Sequence, residues 1–243
     1  MQTEPETNTP SLFWKIPLVA FLLFVPFSSR IDIATSSFFL GGKEYFQAPA
    51  WCWTVYRYGL RPGQFLLAAS AIVLVIGLLI RKNNIWKPAL YLSLTLCIGS
   101  GVIGHGLLKR FWQRPRPKQV TLFGGKYPFC PIYTRYTGPV DRHLRSLPSG
   151  HATMGFYFFS LYFLGRRGRK RWLKITGLSA AAIMGTILAW ARLSQGGHYL
   201  SDIVTSALIM WLTALWLDVL FAKRSTERVS SDVLPHAEAT PSL

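Results

Sequence analysis

Long apolar stretches separated by short, basic linkers set the pattern of this chain. Six runs can be drawn: Leu12–Phe27, Gln64–Ile80, Pro88–Leu108, Ala152–Gly165, Ile175–Ala191 and Asp202–Phe221. Each is at or near the ~20 residues that a helix needs to cross the hydrocarbon of a bilayer. In that medium a backbone must satisfy its own hydrogen bonds, so runs of this length predict helices. The alternation of a membrane barrel, about ten residues per strand, is not visible. The fourth run is short and is expected to borrow its first turn from the loop before it. The pattern therefore predicts an all-α fold: a polytopic membrane bundle of six transmembrane helices over residues 12–222. Tails at 1–11 and 223–243 are expected to be disordered. The segment before the first run holds Glu4 and Glu6 and no basic residue, and no small-x-small cleavage site follows. A retained first helix is the better reading than a cleaved signal.

Between the first two runs, Gly41–Gly63 carries Tyr45, Phe46, Trp51, Trp53, Tyr56 and Tyr58. Rings at this density suit the headgroup layer, which accepts an apolar body with a polar tip. The segment is read as an amphipathic anchor on the membrane surface in preference to a substrate contact.

Composition sharpens the picture. The chain is 50 % hydrophobic and 15 % charged, against about 25 % charged for a soluble domain. Its net charge of +17 is high for so apolar a protein. In a soluble protein such a charge points to nucleic acid. Here the basic residues sit in short runs between apolar stretches, which fits membrane loops and an anionic substrate, and nucleic acid is set aside as a partner. Basic residues flank both ends of the runs in comparable number, so their count does not orient the protein. The short loops Arg81–Lys87 and Arg166–Lys174 favour cytoplasmic termini. Three cysteines without a Cys-x-x-Cys pair build neither a zinc site nor a disulfide framework. Cys52 and Cys130 fall on the same expected face, which leaves a bridge between them open.

Three polar clusters stand on one side of the membrane by the span count. The first runs from Lys109 to Arg116 and Pro117, the second is Pro148-Ser149-Gly150-His151, and the third runs from Arg192 through His198 to Asp202. His198 and Asp202 are four residues apart, so on a helix they share a face. An aspartate beside an imidazole fixes its tautomer, steadies the charge it acquires and leaves the other nitrogen free to attack. Gly196 and Gly197 allow backbone and ligand to approach closely. Ser149 is a good helix cap, and the amides after it form an anion site. Lys109, Arg116 and Arg192 supply the positive charge that a phosphate and its transition state require. His151 can then protonate the leaving oxygen. Together these are the parts of phosphoryl transfer through a covalent phosphohistidine. His105, by contrast, is read as a packed or paired histidine.

In order, the motifs Lys-x6-Arg-Pro, Pro-Ser-Gly-His and Arg-x5-His-x3-Asp resemble those of the type 2 phosphatidic acid phosphatase superfamily. That superfamily includes lipid phosphate phosphatases and vanadium haloperoxidases. The resemblance covers about residues 60–220. It implies that Lys109, Arg116, Ser149, Gly150 and Arg192 bind phosphate. It implies His198 as nucleophile, His151 as general acid and Asp202 as the orienting partner of His198. It further implies a lipid-phosphate substrate, no metal or other cofactor, and an active site at the periplasmic surface of a bacterial inner membrane. The third motif usually opens Ser-Arg and here reads Ala191-Arg192, which removes one hydroxyl and no reacting group. The run Arg114-Pro-Arg-Pro-Lys-Gln-Val-x-x-Phe-Gly-Gly125 is similar to the corresponding stretch of bacterial lipid A phosphatases. The following loop, Lys118–Leu147, holds Lys126, Arg135, Arg142 and Arg145, which suits a headgroup with more than one phosphate. Lipid A is favoured over phosphatidylglycerol phosphate, phosphatidate and undecaprenyl diphosphate. A phosphotransferase moving the group from undecaprenyl diphosphate to lipid A is the main alternative, ahead of a haloperoxidase or a channel.

Overall fold

The computed structural model describes residues 10–138 and 143–233, with only the backbone for Pro10 and for 223–233. The chain is helical, and among the described residues its one extended pairing is an isolated bridge between Val120 and Tyr127. The first helical stretch comprises α1 (Pro10–Phe24), a 3-10 turn at Val25–Phe27 and α2 (Ser28–Leu40). Two shorter helices follow as a pair, α3 (Ala50–Tyr58) and α4 (Arg61–Leu79). Next come α5 (Asn83–Leu96), a π-helical segment (Cys97–Leu108) and the single turn α6 (Lys109–Phe111). After a long loop the chain closes with α7 (Gly150–Phe156), α8 (Phe159–Arg167), α9 (Arg171–Ser194) and α10 (Leu200–Val233).

Among the described residues, five stretches are long and apolar enough to cross a membrane: Ser11–Leu40, Ala50–Leu79, Asn83–Phe111, Arg171–Ser194 and Leu200–Ala222. The run drawn at Ala152–Gly165 is not among them, because the helix breaks at Tyr157 and Phe158. There the Ser160 hydroxyl and amide both donate to the Tyr157 carbonyl (2.7 and 2.9 Å), while the buried Tyr157 hydroxyl donates to Leu92 O at 3.0 Å. A side chain that competes for a backbone carbonyl in this way interrupts the helical ladder.

The first stretch is longer than expected. It continues past Phe27 to Leu40, 30 residues in all, or about 45 Å at 1.5 Å per residue against ~30 Å of hydrocarbon. The excess carries Asp32, fully buried, to the polar end of the bundle. At the other terminus α10 continues to Val233, so residues 223–233 of the expected tail are helical. The remaining tail residues, 1–9 and 234–243, and the loop residue Arg142 lie outside the described residues.

The bundle is apolar outside and partly polar within. Ile16, Leu23, Phe65, Leu79 and Trp216 face outward, whereas Ser70, Thr95, Ser100, Thr153 and Ser160 are buried. Lipid offers no hydrophobic gain for helix association, so close packing and interhelical hydrogen bonds carry it. Ser100 and Thr153 pair at 2.8 Å, and Ser70 and Ser93 at 3.0 Å. Gly155 of α7 lies so close to Gly185 of α9 that a Cβ there would meet the partner Cα at 2.8 Å. At the end remote from the site, Asp218 of α10 faces Arg167 of α8 at 3.3 Å.

The described parts of the Lys118–Leu147 loop, residues 118–138 and 143–147, fold back as a cap. Val120 and Phe123 pack with Tyr199, Ile33, Leu40 and Phe46, while Cys130, Tyr136 and Leu144 form a second small core. Cys52 and Cys130 are both buried free thiols, so the bridge left open between them is not formed.

Candidate active site

Four chain segments meet at one end of the bundle. They are the π-helix with α6 and the loop to Arg116, the start of α7, the end of α9 with the turn into α10, and α3 with the start of α4. Between them lies a cavity of about 310 Å³ whose walls include Lys109, Arg116, Gly150, His151, Arg192 and His198. Six of the eight residues singled out from the sequence thus face a common space. The other two, Ser149 and Asp202, are fully buried and do not line it. Ser149 caps α7, its Oγ accepting the Ala152 amide at 3.4 Å, and its own amide donates to Ser206 Oγ of α10 at 3.0 Å.

His198 lies in the turn before α10, not on the helix with Asp202 as its spacing predicts. The turn is built by the sequence Gln-Gly-Gly-His. Gly196 adopts φ +55°, in the left-handed region where a Cβ is disfavoured, and the face of Gly197 is covered by the Arg192 guanidinium. His198 is 3 % exposed, and its Nδ1 donates to the Ser146 carbonyl at 2.6 Å. Asp202 Oδ2 lies 3.6 Å from the same nitrogen, too far for a hydrogen bond. The orienting acceptor is therefore Ser146 O, with the carboxylate one step behind it. Asp202 Oδ2 accepts the Ser146 hydroxyl at 2.5 Å and the Tyr199 amide at 2.9 Å. The second bond is the return half of a capping box, in which a carboxylate at the third helical position takes the N-cap amide. Either way Nδ1 carries the proton and Nε2 keeps a lone pair. Burial, with Arg192 nearby, pushes the His198 pKa down to about 3 against the pull of Asp202, so the ring is neutral.

A buried cluster of charges behind the cavity wall, not foreseen in the sequence, holds this turn. Arg114 is fully buried and donates to Asp202 Oδ1 (2.7 Å), Ser201 Oγ (2.8 Å), Asp32 Oδ2 (2.8 Å) and the Cys130 carbonyl (2.8 Å). Asp32 in turn accepts the Ser201 amide at 2.8 Å, so α2 caps the start of α10 from outside. Asp32 sat just beyond the first apolar run as drawn. An ionisable residue in a helix that crosses lipid is the signal that marks it.

The cations are arranged around the cavity. Arg192 donates from Nη1 to Gln195 Oε1 at 2.5 Å. The Nε atoms of Arg116 and Arg192 are buried without an acceptor among the described residues. A buried donor left unmet costs about 1–3 kcal/mol, so two of them at one cavity favour an anionic occupant. Lys109 Nζ donates to His105 Nε2 at 3.2 Å, and His105 Nδ1 donates to Ser100 O at 2.8 Å. His105 is paired as expected, yet it also lines the cavity. Its spacing of four from Lys109 on a helix was the available signal.

His151 is held from α3. Its Nε2 donates to the Tyr56 carbonyl at 3.1 Å, and the two rings stack with centroids 4.7 Å apart and planes 15° from parallel. Burial, aided by Arg192, Lys109 and Arg116, pushes the His151 pKa down to about 4, while the Tyr56 carbonyl pulls the other way. Tyr56 was read as part of a surface anchor, and the structure places it in the cavity wall.

The profile of the PAP2 superfamily matches residues 90–225. The chain belongs to this superfamily. The PAP2 match takes in all three clusters that meet at the cavity. The chain is also similar to a protein named Lipid A 4'-phosphatase from Francisella tularensis subsp. novicida (strain U112), at 30 % identity over 141 residues, 58 % of this chain and 61 % of that protein. A protein of the same name from Rhizobium leguminosarum is 33 % identical over 128 residues, 53 % of this chain and 49 % of the relative. This chain thus spans only about half to three fifths of the length of these relatives. No solved structure matches it.

Proposed function

We propose that this protein is a membrane lipid phosphatase that hydrolyses a phosphate ester on a lipid headgroup through a phosphohistidine, with lipid A as the favoured substrate. One observation carries the reading. The neutral His198, its Nδ1–H committed to Ser146 O, shares a cavity with Lys109, Arg116, Arg192 and His151. The Nε2 lone pair attacks phosphorus, the P–O bond to the lipid breaks, and protonated His151 gives its proton to the departing oxygen. Water then attacks the phosphohistidine and yields its proton to His151. The P–N bond breaks, its electrons return to Nε2, and inorganic phosphate leaves. Lys109, Arg116, Arg192 and the amide end of α7 at Gly150 stabilise the charge on the transferring group. Asp202 and Ser149 act from behind the wall, through the Ser146 turn and the α7 cap.

The broken pair α7–α8, over Ala152–Gly165, is proposed as the sixth crossing. The aromatic face of α3 is proposed as the amphipathic element at the membrane surface. The active site then faces the periplasm of a bacterial inner membrane. Lipid A is preferred because both relatives carry that name and because Lys118 and Arg145 add positive charge near the site cations.

The test is phosphate release from a panel of purified lipid A, phosphatidate, phosphatidylglycerol phosphate and undecaprenyl diphosphate, run in a chelator and with and without an acceptor lipid. Release from lipid A above the rest is expected. Transfer only to the acceptor would assign a phosphotransferase, and release from none would dismiss the reading.

A pH dependence follows from His151. Its donor form is the protonated one, which the free enzyme loses as pH rises through about 4. A bound phosphate dianion raises that pKa, so the complex keeps the donor to higher pH. The basic limb of kcat, which reports the complex, is expected at higher pH than that of kcat/KM, which reports the free enzyme. His151→Ala should abolish the kcat limb, and a limb unmoved by it would assign the proton to another group.

A further inference from the structure

The general-acid reading leaves open what holds His151 in a donating pose. A histidine that gives up a proton from one ring nitrogen needs an acceptor on the other, as His198 has in Ser146 O. The α7 helix that bears His151 supplies none among its described contacts. The contact comes from α3, 95 residues away in sequence. That helix is short and two-faced. Trp51, Trp53 and Tyr58 are exposed and Cys52 is buried, and Tyr56, itself 40 % exposed, still reaches His151 with its ring and carbonyl. Gln195 ties α3 to the end of α9: it accepts from Arg192 Nη1 and donates from Nε2 to the Cys52 carbonyl at 3.3 Å. The Tyr56 ring therefore meets both His151, at 4.7 Å, and the Arg192 guanidinium, at 4.8 Å.

We propose that Tyr56 is a positioning residue for His151, its carbonyl taking the Nε2 proton and its ring holding the imidazole plane beside the phosphate site. With Nε2–H committed to Tyr56 O, the proton delivered to the leaving oxygen comes from Nδ1. The carbonyl also stabilises the imidazolium before transfer, as the aspartate does for histidine in a serine-protease triad. Without the ring, the imidazole loses one wall and samples poses from which the proton does not reach the leaving oxygen. Proton delivery then suffers only where the leaving group needs a proton, whereas the contact with Arg192 serves every phosphate ester alike.

This inference rests on His151 being the general acid, and the experiment separates the two claims. Phosphate release by the full-length enzyme in detergent is measured from lipid A, whose leaving group is a sugar hydroxyl, and from 4-nitrophenyl phosphate, whose nitrophenolate departs unaided. The ratio of the two kcat values within one preparation is independent of how much enzyme folds. General acids contribute about 10²–10⁴-fold, and losing a positioning contact should cost about tenfold of that. Tyr56→Ala and Tyr56→Leu are expected to lower the lipid A to nitrophenyl ratio by about tenfold, and His151→Ala by about 100-fold or more. Tyr56→Phe, which keeps ring and carbonyl, should leave the ratio within about twofold. An unchanged ratio in Tyr56→Ala and Tyr56→Leu, beside a lowered ratio in His151→Ala, would overturn the role of Tyr56 alone. An unchanged ratio in His151→Ala would overturn the general-acid reading and this inference with it.

Discussion

Replacing His198 by alanine is expected to lower phosphate release by on the order of 10⁴–10⁶-fold, the range seen when a covalent nucleophile is removed. The cations proposed to bind phosphate remain in the variant, but the proposed acceptor of the phosphoryl group does not. The fold should survive. His198 makes one side-chain hydrogen bond, to Ser146 O, and an unmet carbonyl costs about 1–3 kcal/mol. Rapid acid-free quenching of the wild type on substrate should trap phosphate on the protein that is labile to acid and stable to alkali, and the variant should trap none. Turnover by His198→Ala within about tenfold of the wild type would remove His198 from the nucleophile's place.

The largest structural effect is expected at Arg114. This guanidinium neutralises two carboxylates, Asp32 and Asp202, and all three side chains are 0 % exposed. Arg114→Met keeps most of the volume and leaves two buried acids facing each other without a counter-charge. Breaking a buried pair in this way costs about 3–5 kcal/mol, to be read as a lowered thermal midpoint of the purified protein in detergent. Activity should fall as well, because Asp202 holds both the Ser146 hydroxyl and the Tyr199 amide around His198. Adding Asp32→Asn to Arg114→Met removes one of the two stranded charges and should recover part of the midpoint. A midpoint unchanged by Arg114→Met would show that the cluster is not what secures α2 to α10.

Much of the cavity lining was legible because each member stands at a fixed short distance from a helix end. Lys109 and Arg116, His151 behind its Pro-Ser-Gly cap, and Arg192 with His198 are local patterns. A local pattern survives whatever the rest of the chain does. The same locality explains the near miss at Asp202. Its spacing of four from His198 presumes a helix through both residues, but the Gly-Gly turn starts the helix only at Leu200. The fourth apolar run, read as one span, is a broken helix pair for a similar reason. Hydropathy sees Ala152–Gly165 as continuous, whereas the Ser160 hydroxyl and the reach of the Tyr157 ring break it.

By itself, the sequence determined that this is an all-helical membrane protein, which helix ends carry the polar clusters, and which superfamily it belongs to. Those properties follow from run length, side-chain polarity and short-range spacing. The tertiary structure alone decided that Ser146 O orients His198, that Arg114 bridges Asp32 and Asp202, and that the Tyr56 ring and carbonyl meet His151. These contacts join residues 52 to 95 positions apart. They include backbone carbonyls, which every residue possesses and no pattern of side chains can single out. Packing chose among them by placing α2 and α3 over the start of α10 and α7, where buried charges and unmet donors required partners.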